Sequence, residues 1–112
     1  MVEHIGANIE RYMDVLSTRQ KLVASNIANA DTPGYKTMDI DFQSVLAGQM
    51  SDVGVAPMEV PGLRAKNDGN NVNMDREARL LAENALRFSA ASSLARSQLR
   101  MVKSAIDEGK SS

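Results

Sequence analysis

Cysteine and tryptophan are absent from the chain, and other aromatic residues are few. The absence of cysteine excludes a disulfide scaffold, a thiolate zinc site and a cysteine nucleophile. Two Phe and two Tyr make up 4% of the 112 residues, so a core has to be built from Leu, Ile, Val, Met and Ala. That composition suits helices packed on helices better than a β-sandwich.

Long hydrophobic runs and an excess of one charge are missing as well. No stretch approaches the ~18 apolar residues of a membrane span, so we expect none. A formal net charge of −1 gives no overall field that would attract nucleic acid or an anionic membrane. Residues 1–10 contain two acids and no Lys or Arg, which is unlike a cleavable secretion signal.

Proline and glycine divide the chain into three segments. Residues 1–31 contain one glycine and no proline, residues 32–73 hold all three prolines and five of the seven glycines, and residues 74–109 are free of proline and end on a glycine. This pattern predicts an all-α fold in one domain, residues 1–112. Two long antiparallel terminal helices, arranged as a coiled-coil-like hairpin, are expected to be joined by a loop-rich middle.

The first segment carries a stripe of mostly apolar residues at alternating steps of four and three. This 3.5-residue period is the spacing of a coiled-coil face. The stripe consists of Ile5, Ile9, Tyr12, Leu16, Arg19, Val23, Asn26 and Ala30, and Ile27 widens it. Two interpretations of Asn26 are open: a buried amide that fixes the register of the helices, or a residue at the edge of the stripe.

The last segment carries a cleaner stripe with the same alternation. Its members are Met74, Ala78, Leu81, Ala85, Phe88, Ser92, Ala95, Leu99, Val102 and Ile106. Asn73 is expected to cap this helix, and Asp75 and Glu77 favour the positive end of its dipole. Gly109 is expected to end it.

The middle segment gives weaker signals. Asp41 to Leu46 predicts a short helix, whereas residues 48–66 predict no regular structure. Pro33 and Gly34 occupy the two central positions of a type II turn. Residues 67–69, with the sequence Asn-Asp-Gly, predict a second turn that could close a small hairpin.

A search for chemistry finds no site. His4 is the only histidine, and Asp39 and Asp41 form a pair without further ligands nearby. The chain contains neither a Gly-rich phosphate loop nor a Gly-x-Ser-x-Gly elbow. We therefore expect no catalytic residue, no metal site and no cofactor.

Basic residues of the last segment are expected on the face away from its stripe. They are Arg76, Arg79, Arg87, Arg96, Arg100 and Lys103. Such a face can bind nucleic acid, so a helical adaptor or a nucleic-acid-binding hairpin is the alternative function. Interleaved acids and the lack of stacking aromatics favour a solvated or inter-subunit salt-bridging face instead.

Two polar patches, residues 22–36 and 68–77, are rich in amides and small residues. In a helical hairpin they meet at the same end, which predicts a recognition or subunit-contact surface there. The residues assigned to these turn-end contacts are Asn26, Asn29, Asp31, Pro33, Gly34, Tyr35, Asn70, Asn71 and Asp75.

The same patches carry a resemblance to a known family. Residues 24–36, ASNIANADTPGYK, are similar to the N-terminal signature of the bacterial flagellar rod and hook axial proteins. Residues 39–42, DIDF, residues 68–77, DGNNVNMDRE, and residues 81–88, LAENALRF, resemble the proximal-rod branch of that family. Asn73 and Phe88 depart from the branch, which usually has Asp and Tyr at these positions.

The resemblance implies a non-enzymatic structural subunit of the flagellar proximal rod. Such subunits polymerise through their terminal helices and transmit motor torque. The resemblance also implies a place in the periplasmic rod of the basal body, reached by flagellar type III export without a cleaved signal. The implied partners are copies of the chain, other flagellar rod proteins, the membrane-ring protein, the rod–ring junction protein and the export apparatus, without nucleic acid. The expected subunit-packing seam is Leu16, Val23, Ile27, Leu81, Phe88, Leu99, Val102 and Ile106.

Overall fold

The computed structural model describes residues 2–48 and 55–111, and the side chains of residues 6–48 and 55–110. Five elements follow along the chain: α1 (Val2–Ala28), β1 (Met38–Asp39), α2 (Phe42–Leu46), β2 (Met58–Glu59) and α3 (Met74–Ser111). Two long helices dominate, and the only sheet among the described residues is a two-residue antiparallel pair of β1 and β2. The all-α prediction is confirmed.

The two long helices run antiparallel and lie side by side. Asn26 hydrogen-bonds Glu77, Gln20 hydrogen-bonds Asn84 and Tyr12 hydrogen-bonds Arg87, so positions rising along α1 meet positions falling along α3. The molecule is correspondingly thin, with extents of 72, 25 and 16 Å.

The stripe predicted on α1 is the face that packs against the rest of the molecule. Ile9, Leu16, Arg19, Val23 and Asn26 are all buried. The side chain of Ile5 lies outside the described residues. Asn26 is only 1% exposed, which decides between the two interpretations in favour of the buried amide.

The face of α3 that meets α1 differs from the predicted stripe. Glu77, Leu80, Asn84 and Ala91 are buried there. Stripe positions such as Leu81, Phe88 and Leu99 stay exposed on the adjoining face. The stripe therefore does not form the buried face of the hairpin, because α1 presents Asn26 and Gln20, which bond Glu77 and Asn84 on α3.

The middle segment is anchored by a small apolar cluster. Asp41 caps α2 by accepting a hydrogen bond from the Ser44 backbone, as the sequence predicts. Phe42 and Ile40 pack with Val15 and Leu16 of α1. The part of the middle at residues 49–54, for which no regular structure is predicted, lies outside the described residues.

Turns and caps follow the sequence closely. Tyr35 N donates to Thr32 O, and Gly34 has a φ of +75°, the left-handed conformation that the predicted turn requires of glycine. Residues 67–69 also turn, with Gly69 N donating to Lys66 O, although the antiparallel strands pair elsewhere. Asn73 caps α3 by accepting from Arg76 N.

Helix ends differ from the prediction by a few residues. α1 ends at Ala28 rather than at residue 31. α3 continues through Gly109 to Ser111, because Gly109 does not adopt the positive φ that would end the helix there.

Candidate functional site

The two polar patches meet at one end of the hairpin, and we call residues 26–39 with residues 66–77 the joined end. Gly34 N donates to Asp68 O at 2.8 Å, and Asn71 N donates to Tyr35 O at 3.2 Å. Asn70 is fully buried and its amide donates to the carbonyls of Asn29 and Thr32, both at 2.8 Å. The predicted meeting of the patches is confirmed.

Both polar atoms of the Asn26 side chain form hydrogen bonds, and these connect α1 to the segment that follows the turn and to α3. Its amide donates to Met38 O at 2.9 Å and to Glu77 Oε2 at 3.3 Å. Its carbonyl oxygen accepts from the Tyr35 hydroxyl at 2.9 Å and from Met38 N at 3.1 Å. A buried amide satisfied in this way permits one register of the two helices.

Four charged side chains form a buried cluster beside Asn26, and we call Arg19, Asp39, Arg76 and Glu77 the charge cluster. Arg19 donates to both carboxylate oxygens of Asp39 at 3.1 Å. Arg76 donates to Asp39 at 2.6 Å and to Glu77 at 2.8 Å. Two cations face two anions, so the cluster is neutral as a whole and links β1 to both long helices.

Phe42 packs beside the charge cluster among two arginines and a tyrosine. The Arg19 guanidinium lies 4.6 Å and the Arg87 guanidinium 5.1 Å from the ring centroid, within cation–π range. The Tyr12 ring lies 6.4 Å away. The hydrogen bond from Arg87 to the Tyr12 hydroxyl raises the pKa of Arg87 above its ordinary value, so Arg87 keeps its charge.

The structure separates the predicted turn-end residues into three groups by burial. Asn26, Asn70 and Asn71 are buried and bond within the chain, so they position the joined end from inside. Asn29 and Tyr35 are half-buried. The exposed members are Asp31, Pro33, Gly34 and Asp75.

The predicted basic face is only partly a solvated surface. Arg76 and Arg87 turn toward α1 and form ion pairs within the chain, so their assignment to the outer face is wrong. Arg79, Arg96, Arg100 and Lys103 are exposed. The nucleic-acid alternative therefore loses two of its arginines to intramolecular pairs.

Sequence reasoning missed the charge cluster. In the sequence Asp39 stands out only as a member of the Asp39–Asp41 pair, whereas in the structure it is 5% exposed and held by two arginines. A usable signal is Arg19, a charged residue at a position where the α1 stripe otherwise calls for apolar side chains. Such a residue needs a buried counter-charge.

A row of apolar residues on α3 is exposed except for its half-buried Ala95, and we call Leu81, Ala85, Phe88, Ala95, Leu99, Val102 and Ile106 the exposed stripe. Phe88 is 42% and Leu99 is 69% exposed. Of the predicted seam, Leu16 and Val23 are buried inside the hairpin and Ile27 is half-buried, while the members on α3 all belong to the exposed stripe.

A groove of about 550 Å³ runs between the exposed stripe and α1. Leu81, Ala85 and Phe88 form its wall on α3, and Ser17 and Lys21 belong to its wall on α1. The side-chain oxygen of Asn84 is buried in this groove and has no hydrogen-bond partner in the described part of the chain.

Neither a metal centre nor a membrane helix is found in the region described. Among residues 2–48 and 55–111, no group of acidic or histidine side chains could hold a metal ion. No helix within the same ranges is long and apolar enough to cross a membrane. The side chain of His4 lies outside the described residues.

Comparison with known proteins assigns the chain to a family. The model of the flagella basal body rod protein family matches residues 13–36. A Salmonella typhimurium protein named flagellar basal body rod protein FlgB is 33% identical over 137 aligned positions, which cover 97% of this chain and 99% of the relative. The chain belongs to the FlgB family of flagellar basal body rod proteins.

Two further relatives, from Escherichia coli and Borrelia hermsii, are also named flagellar basal body rod protein FlgB. The Escherichia coli protein is 30% identical, with 87% of this chain and 88% of the relative covered. The Borrelia hermsii protein is 32% identical, with 70% and 78% covered. The segment matched by the family model spans the second half of α1 and the turn after it, and therefore contains Arg19, Asn26 and Tyr35.

Proposed function

We propose that the chain is a structural subunit of the flagellar basal body rod, with residues 1–112 acting as one rod-subunit domain. Family membership supports this function, and the observation that carries its mechanism is the exposed stripe on α3. A folded hairpin that leaves six of the seven stripe positions exposed needs helices from other subunits to cover them.

In this proposal the two ends of the hairpin have different tasks. The joined end keeps α1 and α3 in one fixed register through buried amides and charges. The exposed stripe and the flanking residues of α3 then bind neighbouring subunits. Torque passes between subunits because staggered helix contacts resist sliding and rotation, and the joined end prevents the two helices of one subunit from shifting against each other.

The partners and location follow from the same function. The subunit binds copies of itself and other flagellar rod proteins, and at the base of the rod the membrane-ring protein and the rod–ring junction protein. It lies in the periplasmic rod and arrives through the flagellar type III export apparatus without cleavage of a signal. Exposed turn-end residues, Asp31, Pro33, Gly34 and Asp75, are available for contacts along the rod.

A contrast between two exposed residues of α3 tests this function. Leu99→Asp places a charge in the covered stripe, which costs several kcal/mol in each subunit contact. Because Leu99 is exposed in the single chain, the variant still folds. We expect cells carrying Leu99→Asp to export the protein, to build no rod and not to swim.

Arg96→Ala is the matched control. Arg96 is exposed and donates a hydrogen bond to Ser93 of its own helix, so its loss is expected to cost less than about 1 kcal/mol. Cells with this variant are expected to swim. Normal swimming with Leu99→Asp, or paralysis with Arg96→Ala alone, would contradict the assignment of the stripe as the assembly face.

A further inference from the structure

The exposed stripe is a self-complementary surface when two copies of the chain are laid antiparallel. The stripe keeps a 3.5-residue period from Met74 to Ile106, which is the pattern of a coiled-coil seam. α1 leaves most of the stripe exposed, because α1 packs on the neighbouring face at Glu77, Leu80 and Asn84 and only borders the stripe along two grooves. The stripe therefore fits a long helix with the same period.

We propose that the free chain forms a two-fold symmetric dimer in which the α3 helices of two copies pair antiparallel through the exposed stripe. The two-fold axis passes at the height of Ala90. This arrangement goes beyond the rod function proposed above, since subunits of a rod share one polarity, whereas the two copies of the dimer point in opposite directions. The dimer covers the assembly face of the free chain.

The overlap in this arrangement uses the whole stripe. With the axis at Ala90, Leu81 lies opposite Leu99 of the second copy, and Ala85 lies opposite Ala95. Phe88, the largest side chain of the stripe, lies opposite the small Ser92. Shifting the copies by one heptad keeps the period but leaves stripe positions at both ends uncovered.

Charge complementarity favours the antiparallel direction. Asp75 and Lys103 occupy the same flank of the stripe, near its opposite ends, and both are exposed. In the antiparallel pair, Asp75 of each copy lies beside Lys103 of the other, which gives two ion pairs. In a parallel pair, Asp75 lies beside Asp75 of the other copy and Lys103 lies beside Lys103, so the ion pairs are lost.

The groove beside the stripe supplies a second, independent indication. The buried oxygen of Asn84 faces this groove without a donor in the described part of the chain. A helix laid over the groove brings polar side chains to that oxygen. The orphaned Asn84 oxygen therefore indicates that a further helix covers this groove.

The size of the interface predicts a weak dimer. The exposed stripe, extended by the exposed Met74 and Ala78 of the same period, is about 50 Å long and, with side chains, about 10 Å wide, so each copy contributes on the order of 500 Å². The total of about 1,000 Å² is at the lower limit of specific interfaces. We expect a dissociation constant in the micromolar range.

Cysteine cross-linking of the purified full chain tests the direction of pairing, because the natural chain contains no cysteine. A one-to-one mixture of the Ala85→Cys and Ala95→Cys variants is expected to form a disulfide-linked dimer on mild oxidation, since the two positions lie opposite each other. Either variant alone is expected to stay largely unlinked. Efficient linking of Ala85→Cys to itself would show a parallel pair and overturn the proposal.

Association measured by analytical ultracentrifugation between about 1 and 200 μM gives the second test. We expect monomer and dimer in exchange, and an at least tenfold weaker dimer for Leu99→Asp. A monomer at all concentrations, or an open series of larger oligomers, would overturn the proposal.

A charge exchange then tests the ion pairs. Asp75→Lys and Lys103→Asp are each expected to weaken the dimer about three- to tenfold, and the double variant is expected to restore it. Asp31→Lys, an exposed acid at the joined end, is the control and is expected to leave the dissociation constant unchanged. Failure of the double variant to recover would overturn the antiparallel assignment.

These measurements use purified protein, whereas rod function is measured as swimming, so either proposal can fail while the other stands.

Discussion

Asp39 is the residue on which the joined end depends most. It accepts hydrogen bonds from Arg19 of α1, from Arg76 of α3 and from the backbone of Ile40. Its two oxygens are therefore shared between two helices that are distant in sequence and the backbone of the next residue. If its charge is removed, two buried guanidinium groups remain with one carboxylate, that of Glu77, between them.

We expect Asp39→Asn to lower the free energy of unfolding by about 3 kcal/mol or more, because breaking a buried ion pair leaves uncompensated charge. Urea unfolding followed by circular dichroism measures this change. Asp41→Asn is the matched control, two residues away. Asp41 is an exposed helix cap, and Asn caps a helix about as well as Asp, so the expected change is below about 0.5 kcal/mol. Equal effects of the two substitutions would contradict the role assigned to Asp39.

Among the elements, the helices and their caps could be predicted from the sequence. The periodicity of α1, the Thr32–Tyr35 turn, the Asn73 cap and the short helix after Asp41 depend on residues close together in the chain. Such local interactions leave a local pattern: a repeat, a proline–glycine pair, or a capping side chain before an apolar run.

The choice of the face on α3 could not be predicted in this way. An apolar stripe shows that a surface is to be covered, but it does not show whether the cover comes from the same chain or from another. Within the chain, Asn26 and Gln20 select the polar face with Glu77 and Asn84, and this requirement appears only when α1 and α3 are placed together. The charge cluster could not be predicted for the same reason, since its members are up to 58 positions apart in the sequence, from Arg19 to Glu77.

α2 holds the middle segment against both helices through one side chain. We expect Phe42→Ala to cost about 3–5 kcal/mol, because it leaves a cavity among Val15, Leu16 and Ile40 and removes both arginine contacts. Limited proteolysis is expected to cut the middle segment faster in this variant. Leu46→Ala, in the same helix but 44% exposed, is expected to change neither stability nor cleavage by much. Unchanged cleavage in Phe42→Ala would show that the middle segment is held by other contacts.

As a whole molecule, the hairpin is unevenly supported along its length. Gly6 packs on Gln98 and α1 begins at Val2, so α3 extends past the start of α1 from about residue 103. Every residue from Met101 to Lys110 is exposed. A thin hairpin with this extension buries too little area to protect all of its backbone.

In dilute solution, well below the concentration of self-association, we therefore expect hydrogen exchange to divide α3. Amides of residues 103–111 are expected to exchange nearly as fast as an unfolded chain, whereas those of residues 77–91 are expected to be protected about 100-fold or more. Circular dichroism is expected to show correspondingly partial helicity. Uniform protection along α3 in a confirmed monomer would contradict this gradient.

The antiparallel order of α1 and α3 brings both ends of the chain to the same end of the hairpin, opposite the joined end. A force that pulls the two termini apart therefore separates the helices one layer of contacts at a time, starting at the open end, and does not shear all the contacts at once. Small apolar contacts, such as those of Ile9 and Ala91, part first, and the ion pairs of Arg19 and Arg76 with Asp39 part last. The molecule thus has a mechanical polarity: it yields easily at the open end, and the joined end remains as the point from which the two helices can pair again.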